Sequence, residues 1–361
     1  MESFIFGAKS VAIGIYRALK EIRPEVGIAG FLVSSLENNP SVLDGLPVLE
    51  LDEISAKYYV EDRKKICIYI AVPEILHGQI TESLNKYGFT NYIPIDSVAE
   101  AEWMEKYYTK LGKFPSLHLL SAGEEMAELS VYAAQFFKDK KLEHPPVFQN
   151  YVKSILLGCD SNRDEMLEKK VDFCDNRGDH ISFKNPDYCE MTAFYWVWKN
   201  RIAVTCTADY VGIYHYRRML DITEEDRKRL LEHQVDAVLP FPMIHLPDIR
   251  EHHGRYMREE EWQIMLTAMR ELYPEYADAY EDIFSGIYLY NYNLVLAKKE
   301  VFANYCAWVF PLLFRTEELC VLKGVETTNR YLAYMSESLL TLYFLYHKEL
   351  KIYHTGRILF T

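Results

Sequence analysis

The stretch "YVGIYHYRRML", Tyr210 to Leu220, ends in side chains that could do chemistry. Its first part alternates β-branched and aromatic residues, the pattern of a half-buried strand. It then presents His215, Tyr216, Arg217 and Arg218 in succession. A guanidinium matches phosphate oxygens in bidentate geometry and keeps its charge at every relevant pH, so this strand end suits an anionic ligand. Period-two alternation would send the two arginines to opposite faces of the sheet, and a strand that ended earlier would free both. A second candidate lies upstream, in "DNRGDHISFKNPDYCEMTAFYWVWKN". Asn185 followed by Pro186 predicts a helix over "PDYCEMTAFYWVWKN", with a side-chain cap and a proline where its missing N–H costs nothing. Asp179, His180, Ser182 and Lys184 approach the amino end of that helix, where free N–H groups favour phosphate or carboxylate.

The elements that must hold these groups fall into two parts. With 361 residues the chain is long enough for two domains, and 49% apolar with 26% charged residues makes it globular. The first hundred residues alternate strand and helix: "SFIFGA", "SVAIGIYRALKEI", "VGIAGFLVS", "KKICIYIAV", "EILHGQITESLNKYG" and "TNYIPI". This rhythm predicts a Rossmann-like parallel sheet over residues 1–115. Its first turn, "FGAKSVA", keeps Gly7 but puts Lys9 and Ser10 where a G-x-G-x-x-G fingerprint has glycines or open space, so an accessory or docking role is expected ahead of dinucleotide binding. The boundary falls near Phe114–Gly123, and residues 125–361 form the second domain. There "ELSVYAAQF" and "YVKSILLGCD" read as strands; Lys138, Asp139 and Lys140 follow the first of them, either as site material beyond a strand end or as a solvated loop.

A formal charge of -13 excludes a general nucleic-acid binder, although an acidic chain can still contain a basic pocket. The seven cysteines form no C-x-x-C pair or zinc spacing, and neither a signal peptide nor an apolar run long enough to span a bilayer is evident. A cytoplasmic protein is expected, with attachment at the inner face of the membrane left open.

Four blocks, "RGDHISFKNPDYCEMTAFYWVWKN", "DYVGIYHYRRML", "YNYNLVLAKKEVFANYCAWVF" and "RYLAYMSESL", resemble in order and spacing those of a bacterial family catalogued as a domain of unknown function and found among capsular and exopolysaccharide biosynthesis glycosyltransferases. The resemblance covers Glu128 to the C-terminus. It implies a GT-A-like fold that moves a sugar from a nucleoside diphosphate to a glycan or lipid-linked glycan acceptor, with family analogy pointing to UDP and a hexose such as galactose, pyranose or furanose. The site residues it implies are Asp179, Ser182, Lys184, Asn185, Glu190 and Thr192 from the first block, and Asp209, His215, Tyr216, Arg217 and Arg218 from the second. Asn293 and Glu337 come from the later blocks. His180, Tyr214, Ala333 and Ser338 depart from the family pattern, which bears on substrate identity.

GT-A enzymes commonly hold a divalent metal on a D-x-D element, and no D-x-D occurs in this sequence. No metal ligand is therefore assigned; the resemblance allows Mn or Mg, and Arg217 and Arg218 could supply the positive charge instead. Donor contacts are expected from Arg217, Arg218, Tyr216, Asp179, Ser182, Lys184 and Asn185, and acceptor or structural contacts from Glu190, Thr192 and Asn293. Glu337, a carboxylate interrupting an apolar helix, is the first candidate for a general base, alongside Asp209 and His215 as catalytic groups. Asp248, Glu251 and Asp282 are alternatives, and an ion pair with Arg330 is the competing role for Glu337. "DIREHHGRYMREEEW" reads as a charged, exposed lid or helix whose adjacent histidines are no metal pair. Two rival functions are a non-catalytic scaffold for glycan assembly and a nicotinamide-dependent sugar-modifying enzyme.

Overall fold

The computed structural model describes residues 2–162, 170–204 and 206–361. In the first part, β1 (Ser3–Phe6), α1 (Ser10–Ile22), β2 (Ile28–Val33), β3 (Val42–Leu43) and β4 (Leu46–Glu50) lead to α2 (Leu51–Lys57) and α3 (Val60–Arg63). Then follow β5 (Cys67–Ile70), α4 (His77–Lys86), β6 (Tyr92–Pro94) and α5 (Ser97–Leu111). The sheet runs β3-β4-β2-β1-β5-β6, parallel except for β3. Counted among the parallel strands this is the order 3-2-1-4-5 of a Rossmann half-turn and its return. Gly7 has φ +126°, and a Cβ there would meet the carbonyl oxygen of Ala71 at 2.6 Å. Strand packing alone therefore accounts for this glycine. Asp96 caps α5 by accepting from the amide of Ala99 at 2.8 Å, and Gly112 ends it at φ +62°.

The second part begins with β7 (Leu129–Gln135), β8 (Val152–Leu156), β9 (Phe173–Cys174), α6 (Asn185–Tyr188) and α7 (Met191–Val197). It continues through β10 (Tyr210–His215), β11 (Arg218–Leu220), α8 (Glu224–Glu232), β12 (Ala237–Pro240), β13 (Met243–Ile244), α9 (Arg250–Tyr256), α10 (Glu259–Leu272) and α11 (Pro274–Phe284). It closes with β14 (Tyr288–Leu289), β15 (Val295–Lys298), α12 (Lys299–Lys323), α13 (Tyr331–Tyr346), β16 (Ile352–Thr355) and β17 (Arg357–Leu359). The main sheet has the order β16-β12-β15-β10-β7-β8-β9, with β11 and β17 joined beyond β10. Strands β10, β7, β8 and β9 are parallel, and β15 runs against both β10 and β12. This is a mixed α/β fold of GT-A-like type. Helices α7, α10, α12 and α13 bury their apolar faces in one large core against this sheet.

Two expectations about local structure are corrected. The helix foreseen over 186–200 is broken: α6 stops at Tyr188, Cys189 takes φ +44°, and α7 starts afresh. Asn185 is helical and makes no capping bond to the helix; its amide instead donates to the carbonyl of Cys189 at 3.0 Å and to Thr192 Oγ1 at 3.3 Å. The "EHHGRY" segment is a helix, as one of the two readings had it, but it is not exposed throughout, because His252 and His253 are buried. Their imidazoles pack inward, His253 stacked on Trp262 at 4.1 Å.

The two parts share a tight seam. Arg357 of β17 pairs with Glu100 of α5 at 3.0 Å, Tyr108 donates to the carbonyl of Pro242 at 2.7 Å, and Ser97 accepts from the amide of Leu359 at 2.9 Å. The space enclosed there is only 20 Å³, room for about one water.

Candidate active site

Register decides where a ligand can lie. His215 is level with Ala134, and Gln135 with Leu156, so the carboxyl ends of β10, β7 and β8 form one rim. In open α/β sheets the crevice beyond that rim is the binding site. A cleft of 610 Å³ lies there, a volume suited to a medium-sized ligand. Because β15 is antiparallel to β10, with Val295 opposite Ile213, the loop before it, Asn291–Leu294, arrives at the same rim.

Strand β10 ends at His215, and His215 pairs with Arg218 across a two-residue turn. The strand thus ends early enough that alternation does not separate the arginines, and both line the cleft, with Tyr216. Neither guanidinium has a carboxylate partner among the described residues. Arg217 Nε is buried with no hydrogen-bond partner among them, an open donor of a kind that native interiors seldom leave unpaired. Arg218 lies 4.3 Å from the ring of Tyr292, and its pKa is lowered chiefly by burial, although a guanidinium stays cationic. Arg330, at φ +66° just ahead of α13, adds a third guanidinium to the cleft wall. Its Nε donates to Cys189 Sγ at 3.0 Å. Arg330 is not the partner of Glu337; no local pattern in the sequence marks it as a cleft residue, because its place depends on how α13 packs beside α6. Lys138 also lines the cleft, which is basic within an acidic chain.

His215 donates from Nε2 to the carbonyl oxygen of Tyr292 at 2.6 Å. Burial and the neighbouring Arg218 pull its pKa down to about 4, so at neutral pH the ring is uncharged and Nδ1 holds a lone pair. Tyr292 and Asn293 are both left-handed, φ +72° and +49°, a costly pair held by side chains from three elements. The amide of Asn293 donates to Glu190 Oε1 at 2.7 Å and to Ser336 Oγ at 2.9 Å. Glu337 receives a hydrogen bond from the backbone N–H of Tyr292 and lies 3.3 Å from His252 Nε2. Burial pushes the Glu337 carboxyl up, but His252 and the Tyr292 amide outweigh it and leave the pKa below the ordinary value. Glu337 thus props the loop rather than lining the cleft.

Glu190 differs. It lines the cleft, is 7% exposed, and burial, reinforced by the charge of Glu337 and opposed by Asn293, raises its pKa to about 7.

The floor of the cleft is tied down by a residue that sequence reasoning missed. Asp175, fully buried, accepts from the amides of Gly158 (2.9 Å) and Cys159 (3.1 Å), from Ser182 Oγ (2.6 Å) and from Thr192 Oγ1 (2.8 Å). Gly158 has φ +69°, and a Cβ on it would come within 2.8 Å of Asn185 Oδ1. Ser182, Thr192 and Asn185 therefore shape the Gly158 loop, and Asn185 also faces the cleft.

Other expected residues lie elsewhere. Lys184 is bound to Glu317, 2.7 Å to each oxygen, outside the cleft. Asp179 is exposed and accepts from Tyr195 OH at 3.1 Å. Asp209 is at the opposite end of β10, roughly 20 Å along the strand from His215, where it accepts from the amide of Glu128. Among the alternative bases, Asp248 pairs with Arg250 at 2.8 Å, Glu251 lies between Arg255 and His245, and Asp282 is exposed.

Among the described residues no group of three or more His, Cys, Asp or Glu side chains is placed to hold a metal ion. The carboxylates on the cleft wall among them are Asp139 and Glu190, set beside Lys138 and three arginines.

A GT-A-like sheet with a basic cleft at its carboxyl rim defines the class. The chain belongs to the family described as "Domain of unknown function (DUF4422)", whose pattern matches residues 138–349. It is also similar to the apo structure of WbbM, a bifunctional glycosyltransferase, with 26% identity and a TM-score of 0.51 over 64% of this chain. The chain spans 45% of that protein's length. No curated protein matches it in sequence. Among the described residues no helix is long and apolar enough to cross a membrane.

Proposed function

We propose that this protein is a glycosyltransferase that moves a hexose from a nucleoside diphosphate, UDP in the first instance, to a glycan or lipid-linked glycan acceptor in the assembly of a surface polysaccharide. The observation that carries this reading is that Arg217, Arg218 and Arg330 all line one cleft, none of them ion-paired to a carboxylate among the described residues. Departure of a diphosphate is largely an electrostatic problem, and preorganised cations in a half-enclosed site stabilise the charge that develops. Arg217 and Arg218 would hold the diphosphate in place of a cation. His215, neutral and fixed by Tyr292, offers Nδ1 as an acceptor for a ligand hydroxyl. Phe136 and Phe137, whose rings lie 4.4 Å apart, supply flat apolar surface with Tyr216 for a base or sugar ring.

A thermal-shift series across nucleoside diphosphates and their sugars tests the assignment. A ligand that binds the folded state raises the melting temperature by mass action, so the best base and sugar should stand out together. Arg217→Ala and Arg218→Ala should each lower turnover ~100-fold or more. Near-normal rates in both variants would remove the clamp, and donor binding without hydrolysis or transfer would favour the scaffold. The first βα turn offers little for a nicotinamide cofactor: Lys9 Nζ donates to the carbonyl of Asn38 at 2.9 Å and Ser10 faces His245 at 3.4 Å.

A further inference from the structure

We infer that Glu190, and not Glu337, takes the proton of the acceptor hydroxyl during transfer. The inference rests on the glycosyltransferase reading above and assigns a group within that same cleft. Two carboxylates approach the rim, and the fold treats them in opposite ways. Glu337 is spoken for: His252 Nε2 lies 3.3 Å from it on one side and the Tyr292 amide donates on the other, so it is stabilised as a fixed anion under the loop. Glu190 is on the wall of the cleft that Arg217, Arg218 and Arg330 also line, and its side chain is anchored by one donor, Asn293 Nδ2 at 2.7 Å from Oε1.

The backbone is bent to put it there. Cys189, a non-glycine residue, adopts φ +44° and ends α6 one residue before Glu190, and this departure from the helix turns the following carboxylate toward the rim. Such strain persists where the surroundings over-determine it. Here Asn185 holds the Cys189 carbonyl at 3.0 Å, and Arg330 holds its sulfur.

In the transfer step the acceptor oxygen bonds to the anomeric carbon while the bond from that carbon to the diphosphate oxygen breaks. The leaving diphosphate takes the electron pair into the arginine clamp, and the acceptor proton passes to the Glu190 carboxylate. A base acts best when its pKa lies near the working pH. The groups that set the charge of Glu190 are Glu337 of α13 and burial, which favour the proton, and Asn293 before β15, its own backbone amide and Arg330, which oppose it. Tyr305 of α12 and Cys189 are its other titratable neighbours, and burial keeps both protonated at neutral pH.

The test uses the full chain with the best donor from the thermal-shift series. Glu190→Gln keeps the shape and an oxygen for Asn293, and should lower kcat for transfer by ~100-fold or more while leaving the dissociation constant of the nucleoside diphosphate within about threefold. The unsubstituted enzyme should lose activity as pH falls through about 7, and the residual rate of Glu190→Gln should not follow that limb. Glu337→Gln should retain the limb but move it to lower pH, because a charge that favours the proton on Glu190 is gone. A normal kcat in Glu190→Gln, a loss confined to donor affinity, or an unchanged acid limb would each overturn the role. If Glu190→Gln does not fold, Glu190→Asp decides: a shortened base predicts a kcat loss of ~10-fold or more with the limb kept, and a wild-type kcat refutes it. Failure of the unsubstituted protein to turn over any nucleotide sugar would remove the underlying reading, and this role with it, and is told apart by the unsubstituted control.

Discussion

Arg330 shows what the cleft asks of single residues. It is exposed, has no ion-paired carboxylate among the described residues, and keeps its position through Cys189 Sγ and the ring of Tyr334, 5.4 Å away. With Nε engaged by Cys189 Sγ, the guanidinium keeps its two terminal amino groups for an anion. Arg330→Ala should therefore weaken nucleoside diphosphate binding about tenfold, the scale of one charge-assisted hydrogen bond, measured by calorimetry. If the arginine is only a cap for α13, the melting temperature should fall while affinity stays put, and the cleft would have two working guanidiniums instead of three.

Elements are joined to the site by buried polar groups, and Asp175 is the clearest of these. Its carboxylate ties the Gly158 loop after β8 to Ser182 ahead of α6 and to Thr192 in α7. Asp175→Ala would leave two amides and the Ser182 hydroxyl without their acceptor, while Thr192 Oγ1 keeps the Cys189 carbonyl at 3.0 Å. Each buried orphan costs about 1–3 kcal/mol, so a loss of ~3 kcal/mol or more in urea denaturation is expected after partial relaxation, together with weakened nucleotide binding. Stability within 1 kcal/mol of the parent would mean that water replaces the carboxylate and that the loop has another anchor. The same logic explains why polar residues interrupt apolar α13: Ser336 accepts from Asn293, Glu337 from the Tyr292 amide, and Thr341 accepts from the Tyr290 amide at 2.9 Å.

At the scale of the whole molecule, the segment between the two sheets is fastened by His118. Its Nε2 lies 3.3 Å from Asp226 of α8 and 3.1 Å from Thr355 Oγ1 of β16. The hydrogen bond to Asp226 raises the imidazole pKa to about 9 against the pull of burial. Burial pushes Asp226 up, yet His118 and Thr223 hold it at about 2. Because the folded-state pKa of His118 lies above its ordinary value near 6.5, the stabilisation is complete below that value and is lost as pH rises through about 9. Between pH 6 and 10 the loss should be ~3 kcal/mol, a fall of several degrees in melting temperature. His118→Gln should flatten that slope; an unchanged slope would place the alkaline loss elsewhere.

Much of this arrangement could be read from neighbours in the chain. The strand–helix rhythm of the first hundred residues, the strands ending at Gln135 and Leu156, the arginine pair after β10 and the lack of a D-x-D element are all local facts, set by side-chain periodicity and composition within a few residues. The break at Cys189 was not legible, because Asn-Pro and the apolar residues after it satisfy a continuous helix, and the bend is held by Asn185 on the Cys189 carbonyl and by Arg330, at the start of another helix, on its sulfur. Glu190 and Glu337 look alike as carboxylates among apolar residues. Their difference arises from partners 103 positions away in the chain for Glu190 and on a separate helix, at His252, for Glu337. Sequence alone determined which groups were available; folding decided which of them share a cleft and which are spent holding it open, because burial and long-range pairing are properties that no residue has until the chain has closed around it.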